Sequence, residues 1–303
     1  MSCLPAGTIR EGALFTSVLI FLAVLGVVVV FLSVVVGLII TLITAAITHR
    51  STAVPALSYV VLASLVAGLA LRAPEPALLL VEFGLLGVFY GLCLKNRVAY
   101  GRTLSIGVIL AVILVFASLG LSYLLTGQDP FDINTLMAPA EPLPEAVEQA
   151  MGIMAVLMPG GLVAWAVAVA FAGFFLTAGL LHRLGFIGEP LPEFSAWRLP
   201  WYAIWGLIGG LILLLIGDRW AVEWADAIAK NLLFVTVFGL FLAGLSLSVF
   251  LYRFYPPPRW MKFALALTIL LYFPVAALLM ANIGFVDTLV DVRSRMERRN
   301  RES

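Results

Sequence analysis

Long uncharged apolar runs follow one another along almost the whole chain, and the charged residues gather in the gaps between them. The runs are Gly12–Thr48, Ala53–Leu71, Ala77–Leu94, Thr103–Thr126, Met151–Leu181, Trp201–Gly217, Asn231–Tyr252 and Phe263–Ile283. A helix needs about 20 apolar residues to cross a hydrocarbon core of about 30 Å. In lipid only helices and closed barrels satisfy their own backbone, and no strand-like alternation is sustained enough for a barrel. The pattern therefore predicts an all-α polytopic transmembrane helix bundle, a single integral membrane domain over residues 1–303, with eight spans. The first run would make one helix about 55 Å long. It is either strongly tilted or broken by a tight turn near Ser33–Gly37, which would raise the count to nine; the broken form is favoured. Pro159-Gly160-Gly161 predicts a kink or short interfacial turn in the fifth run. Pro274 sits in mid-run and is a candidate break in the last. The first run is too long for a signal-peptide core and lacks a clear cleavage site, so it is read as retained.

Charge in the gaps sets an orientation. Arg50, the group Lys95, Arg97 and Arg102, the pair Arg183 and Arg198, and the group Arg253, Arg259 and Lys262 fall in one set of loops. The alternate loops hold only Arg72, Arg219 and Lys230. Basic loops stay in the cytoplasm, so the first set is cytoplasmic, and residues 127–150, with Asp129, Asp132, Glu141, Glu145 and Glu148, form an external acidic loop. Its prolines Pro139, Pro142 and Pro144 predict an irregular lead-in, then a short helix running into the next span. Residues 285–303 form a charged C-terminal tail whose arginines belong inside, yet alternation from eight spans puts them outside.

Composition removes several functions. The chain is 63% hydrophobic and 12% charged, against about 25% charge in soluble domains. A net charge of +1 offers no basic surface for nucleic acid. Cys3 and Cys93 give no disulfide framework, and no His/Cys/Asp cluster has metal-ligand spacing; neither a metal nor a cofactor is expected. No Walker motif appears. Gly244-Leu245-Ser246 resembles the nucleophile motif of intramembrane serine proteases, but no mid-membrane histidine accompanies it. The chain reads as a non-enzyme.

Candidate chemistry starts with Glu82, the charged residue inside an apolar run. A carboxyl there marks a functional position by default, and no second charge lies in a run to pair with it. At about 100° per residue it shares a helical face with Leu86, Phe89 and Cys93. Gly84, Gly87 and Gly91 fall on roughly the opposite face, suited to close helix packing. That predicts a helix buried on both sides, with Glu82 binding a cation or amine, relaying a proton, or standing protonated against a neighbour. Asn231, read as opening its span, is a second candidate polar contact. Gly206 and Gly210 form another packing pair. Trp201, Trp220, Trp224 and Trp260 read as interfacial anchors.

Two stretches are more distinctive. One is Pro190, Pro192, Phe194 and Trp197-Arg198-Leu199-Pro200-Trp201, an extended linker ending in an anchor. The other is Gly284-Phe285-Val286-Asp287 followed by Asp291 and Arg293, where the glycine is read as ending or bending the last span. Asp287 and Asp291, four residues apart, both call for a cationic partner, Arg293 or a loop arginine. With the segment from Asn231 to Gly244 and the Pro159 break, these stretches resemble the YybS-like family of bacterial membrane proteins. That family is in turn similar to the substrate-binding S components of energy-coupling-factor transporters. The resemblance implies a multi-pass protein of the bacterial cytoplasmic (inner) membrane. It would bind a small ligand in an S-component-like bundle, surrounded by the lipid bilayer, and work with an ATPase-driven transport module. The chain departs from a standard S component by about two extra spans. The competing expectation is a structural or regulatory partner of another membrane protein, using glycine faces and the basic tail.

Overall fold

The computed structural model describes residues 33–127, 129, 145–188, 193–254, 258, 260–262 and 271–296. Eight α-helices carry the fold: α1 (Ser33–Arg50), α2 (Ala53–Leu71), α3 (Pro74–Lys95), α4 (Tyr100–Thr126), α5 (Glu145–Arg183), α6 (Ile204–Trp220), α7 (Glu223–Phe254) and α8 (Phe273–Val290). Each of them, α6 together with the turn before it, is long and apolar enough to cross a membrane, and no strand occurs among the described residues. The protein is an all-α polytopic membrane bundle, with eight candidate spans among the described residues.

Three helices, α5, α7 and α8, depart from what the runs predict, and only part of the first run lies within the described residues. α1 passes through Ser33–Gly37 without a turn; residues 12–32, the first part of that run, lie outside the described residues. α5 is continuous across Pro159 and shows no interfacial turn, because Asn231 of α7 bonds to its backbone there. α7 begins two turns before Asn231, at Glu223. α8 begins at Phe273, with Pro274 in its first turn, where a missing N–H costs nothing. It then runs through Gly284 to Val290 rather than ending at the glycine. Residues 263–270, the start of the predicted last run, lie outside the described residues. So do most of the acidic loop and Pro190 and Pro192. The helix predicted to lead from the loop into the fifth span is the start of α5.

The chain divides into two compact units. The first comprises residues up to Asp132 and Trp165–Leu191; the second comprises Ile133–Ala164 and Pro192 onward. α5 supplies its C-terminal part to the first and its N-terminal part to the second. In the first unit α3 is central. A Cβ on Gly84 would meet Val60 of α2 at 2.8 Å, and one on Gly91 would meet the Ala45 carbonyl of α1 at 2.6 Å. One on Gly87 would overlap Thr44 and the Thr41 carbonyl. Hydroxyl groups of α1 find backbone acceptors: Thr44 donates to the Ile40 carbonyl of its own helix at 2.8 Å, and Thr41 is shared between the carbonyls of Gly37 and, across the packing, Phe83 of α3, each at 3.1 Å. Tyr90 of α3 is fully buried and donates to the Ala170 carbonyl of α5 at 2.8 Å. Its ring closes on Gly107 of α4.

The second unit is organised by α7. α6 descends along it, with Gly206 against Thr236, Gly210 against Leu233 and Gly217 against Asp226. The two helices are joined by a turn at Ala221, whose φ is 51°. α8 crosses α7 where Gly244 and Gly284 face one another. A Cβ on either would overlap backbone of the other helix, at Met280 and Leu240 respectively. That closeness explains why a glycine lies inside α8: its missing side chain lets two backbones meet.

Candidate functional site

Glu82 lies on α3 in the first unit and is partly buried. Among the described residues no hydrogen bond or ion pair reaches its carboxyl. The glycines on the far side of α3 are filled by α1 and α2. Leu86, one turn along the Glu82 face, is only 2% exposed. Phe89 and Cys93 on that face are partly buried, and Cys93 is a free thiol. The carboxyl thus stands on a helix enclosed over most of its surface, with capacity for a proton, a cation or a hydrogen-bond donor.

Asn231, in the second unit, is engaged by the protein itself. Its Oδ1 accepts from the Gly160 N–H at 2.6 Å, and its Nδ2 donates to the carbonyls of Val156 at 2.7 Å and Ala227 at 2.8 Å. Gly160 N–H and Val156 C=O are the donor and acceptor that an α-helix pairs with each other. The carboxamide therefore splices into α5 immediately after Pro159, which has no N–H and pushes on the turn before it. Gly160 leaves the room, since a Cβ there would sit 2.8 Å from Asn231 Oδ1. Three bonds use both amide hydrogens and the oxygen. The chemistry present is a helix clamp.

The C-terminal signature assembles into one site, also in the second unit. Asp287 and Arg293 form a buried ion pair, Oδ2 to Nη2 at 3.1 Å, with side chains 5% and 1% exposed. Asp291 pairs with Arg198 at 2.5 Å, and Arg198 also donates to Ser294 Oγ at 2.9 Å. Both carboxylates thus find the cations their charge calls for. They do so from different positions: Asp287 is in α8, whereas Asp291 caps it with φ at 49°. The chain turns there, and residues 292–296 are helical again. Arg293 reaches the linker and α7 together. It donates to the carbonyls of Ser195 and Trp197, to Ser246 Oγ at 3.2 Å and to the Ala243 carbonyl at 3.4 Å. Burial pushes its guanidinium below its ordinary value, and the Asp287 carboxylate opposes that; an arginine stays charged throughout.

Ser246 donates to the carbonyls of Phe194 and Trp197 at 2.6 and 2.8 Å. At the linker's start, Glu193 pairs with Arg253 and accepts from Ser195 Oγ at 2.9 Å. The Ser195 hydroxyl first, then the Arg253 charge, hold that carboxyl below the usual range. Pro200, φ −64°, leads into the short turn Trp201–Ala203. Trp201, Trp220, Trp224 and Trp260 are all exposed, as suits residues at a membrane–water boundary. Ser195, Ser246, Glu193, Arg253 and the Gly244–Gly284 crossing carry no spacing signal, because each joins elements far apart in sequence. Among the described residues, no group of three His, Cys, Asp or Glu is placed to hold a metal ion.

A family model described as a predicted membrane protein (DUF2232) matches residues 16–140 and 134–288. No curated protein and no solved structure matches the chain.

Proposed function

We propose, from the premise that the chain belongs to the DUF2232 family of predicted membrane proteins, that it is a non-enzymatic ligand-binding component that works with an energising partner. The single observation that carries this reading is Glu82. It is a carboxyl within a candidate span, on the central helix of its unit, to which no described residue offers a bond or counter-charge. Ionisable groups inside a span are costly and are kept for ions, protons or ligands. The ligand class that fits is a cation or an amine-bearing small molecule. The YybS-like resemblance, with its link to S components, adds the partner: an ATPase-driven module in the bacterial inner membrane. The test is a thermal-shift screen of the purified chain in detergent against vitamins, metal ions and amines. A stabilising compound whose effect disappears in Glu82→Gln supports the reading. No stabilisation by any compound, with Glu82→Gln fully active in cells, overturns it.

The alternative, a structural or regulatory partner, relies on glycine faces and the tail. Here the glycines at 84, 87, 91, 206 and 210 are covered by the chain's own helices, and Arg293 is consumed by Asp287 and the linker. What remains of the tail for a partner is the segment from Arg295, which is exposed, onward. Deleting it should leave function intact if the ligand reading holds, and abolish function if the partner reading holds.

A further inference from the structure

Five cations collect at one end of the first unit: Arg50, Lys95, Arg97, Arg102 and Arg183, all exposed. Contacts between elements bring them together. Lys95 Nζ donates to the Ser51 carbonyl, just past α1. The Arg50 guanidinium lies 5.1 Å from the centre of the Phe186 ring, one turn beyond Arg183, and His49 stacks on that ring at 5.3 Å. Arg97 and Arg102 flank the tight connection from α3 to α4, closed by Val98 N–H donating to the Cys93 carbonyl. Among the described residues no carboxylate pairs with any of the five. The connecting segments at this end contain one acidic residue of this unit, Glu189, which lies outside the described residues. In the second unit Arg198, Lys230, Arg253 and Arg293 each have a carboxylate of their own, whereas Arg219, Lys262 and Arg295 stand without one among the described residues and are not gathered by contacts between elements.

We propose that this end of the first unit binds the headgroup phosphates of anionic membrane lipids. The cations need an anion that the described chain does not supply, and two of them are held in place, Lys95 by a carbonyl and Arg50 by a ring. All five stand at or beside the ends of candidate spans, the part of a spanning helix that meets lipid headgroups. Close to them along the chain, Val54, Ile106 and Leu184 are exposed apolar side chains. A lipid uses both the cations and apolar side chains, whereas a soluble anion uses the cations alone. Basic residues near an anionic surface each contribute about fivefold in affinity.

The experiment uses the full chain in nanodiscs of phosphatidylcholine, with and without phosphatidylglycerol, and reads the melting midpoint and the lipid retained in native mass spectrometry. The anionic lipid should raise the midpoint and remain bound. The triple variant Arg50→Gln, Lys95→Gln, Arg102→Gln should lose retained lipid on the order of a hundredfold, while Arg50→Lys, which keeps the charge, should retain it. A control at the other loops, Arg72→Gln with Arg219→Gln, should behave as wild type. Equal retention by wild type and triple variant, or equal loss in the control, overturns the proposal. So does equal stabilisation by inorganic phosphate in phosphatidylcholine alone, which would make the occupant a soluble anion. The Glu82 reading is untouched by either result, since Glu82→Gln leaves these cations in place.

Discussion

Arg293 is the most heavily committed single residue described, and the cost of losing it is correspondingly large. Breaking a buried pair by removing one partner typically costs about 3–5 kcal/mol, because the other charge is left uncompensated. Asp287→Ala and Arg293→Ala should each lower unfolding stability in detergent by that order, with Arg293→Ala the worse, since it also releases the carbonyls of residues 195 and 197. The double variant should cost less than the sum of the two. Asn231 allows a second cycle, with Pro159. Asn231→Leu strips the Gly160 N–H of its partner, worth about 1–3 kcal/mol for a buried donor. In a Pro159→Ala background α5 can close its own ladder, so the same change should cost measurably less; strict additivity would show that the clamp is not serving the proline turn.

Glu193 gives a pH prediction. Its folded value is depressed, so its contribution is present above the ordinary carboxylate range and lost as pH falls through the depressed value. Linker protection in hydrogen exchange should fall on acidification in the wild type and be insensitive there in Glu193→Gln. Part of this was legible beforehand. Two acidic residues after Gly284 demanded cations, and the chain supplied Arg293 and Arg198. Ser195 and Ser246 were not legible, because a hydroxyl bonded to distant carbonyls leaves no trace in local pattern.

At the scale of elements, each hydropathy run overlaps one of the eight described helices, α7 begins two turns before its run, and the first and last runs extend into residues outside the described ones. The last run was drawn from composition alone, and Pro274 and Gly284 were given their usual disruptive meanings. The observed α8 uses the proline to start and the glycine to cross α7, and its charge at Asp287 is carried inside because Arg293 neutralises it. None of those compensations is visible without the partner helix. The crossing should be intolerant. Gly284→Leu or Gly244→Leu forces the two backbones apart, and the loss should exceed the ordinary overpacking cost of about 1–3 kcal/mol. Gly101→Ala, facing open space in α4, should be neutral or stabilising by about 0.5–1 kcal/mol. Melting midpoints of the purified variants decide this, and equal behaviour of the two sites would contradict the close approach.

For the whole molecule, one pair places the start of the tail beside the linker. Asp291, beyond α8, is bonded to Arg198 in the linker between α5 and α6. That linker belongs to the set of loops that the sequence's basic bias predicts to be cytoplasmic. Alternation from eight spans had put the tail opposite. The pairing ties it to the linker's side, where Arg293 and Arg295 add to the same bias. A reporter fused after Ser303 should therefore be active in the cytoplasm and silent outside; the reverse would mean that the pairing does not form in the membrane.

Tyr90 carries a different consequence, one of timing. Its hydroxyl is buried on α3, and its acceptor is the carbonyl of Ala170, eighty residues later. During synthesis at about 5–20 residues per second, α3 waits several seconds in the bilayer before its acceptor exists. A polar group without a partner in hydrocarbon is costly, so the nascent first unit must borrow one, from water, lipid or the insertion machinery. A ribosome stalled before residue 170 should hold α1 to α4 in a protease-sensitive state, and the released full chain should not. Tyr90→Phe should erase the difference between the two.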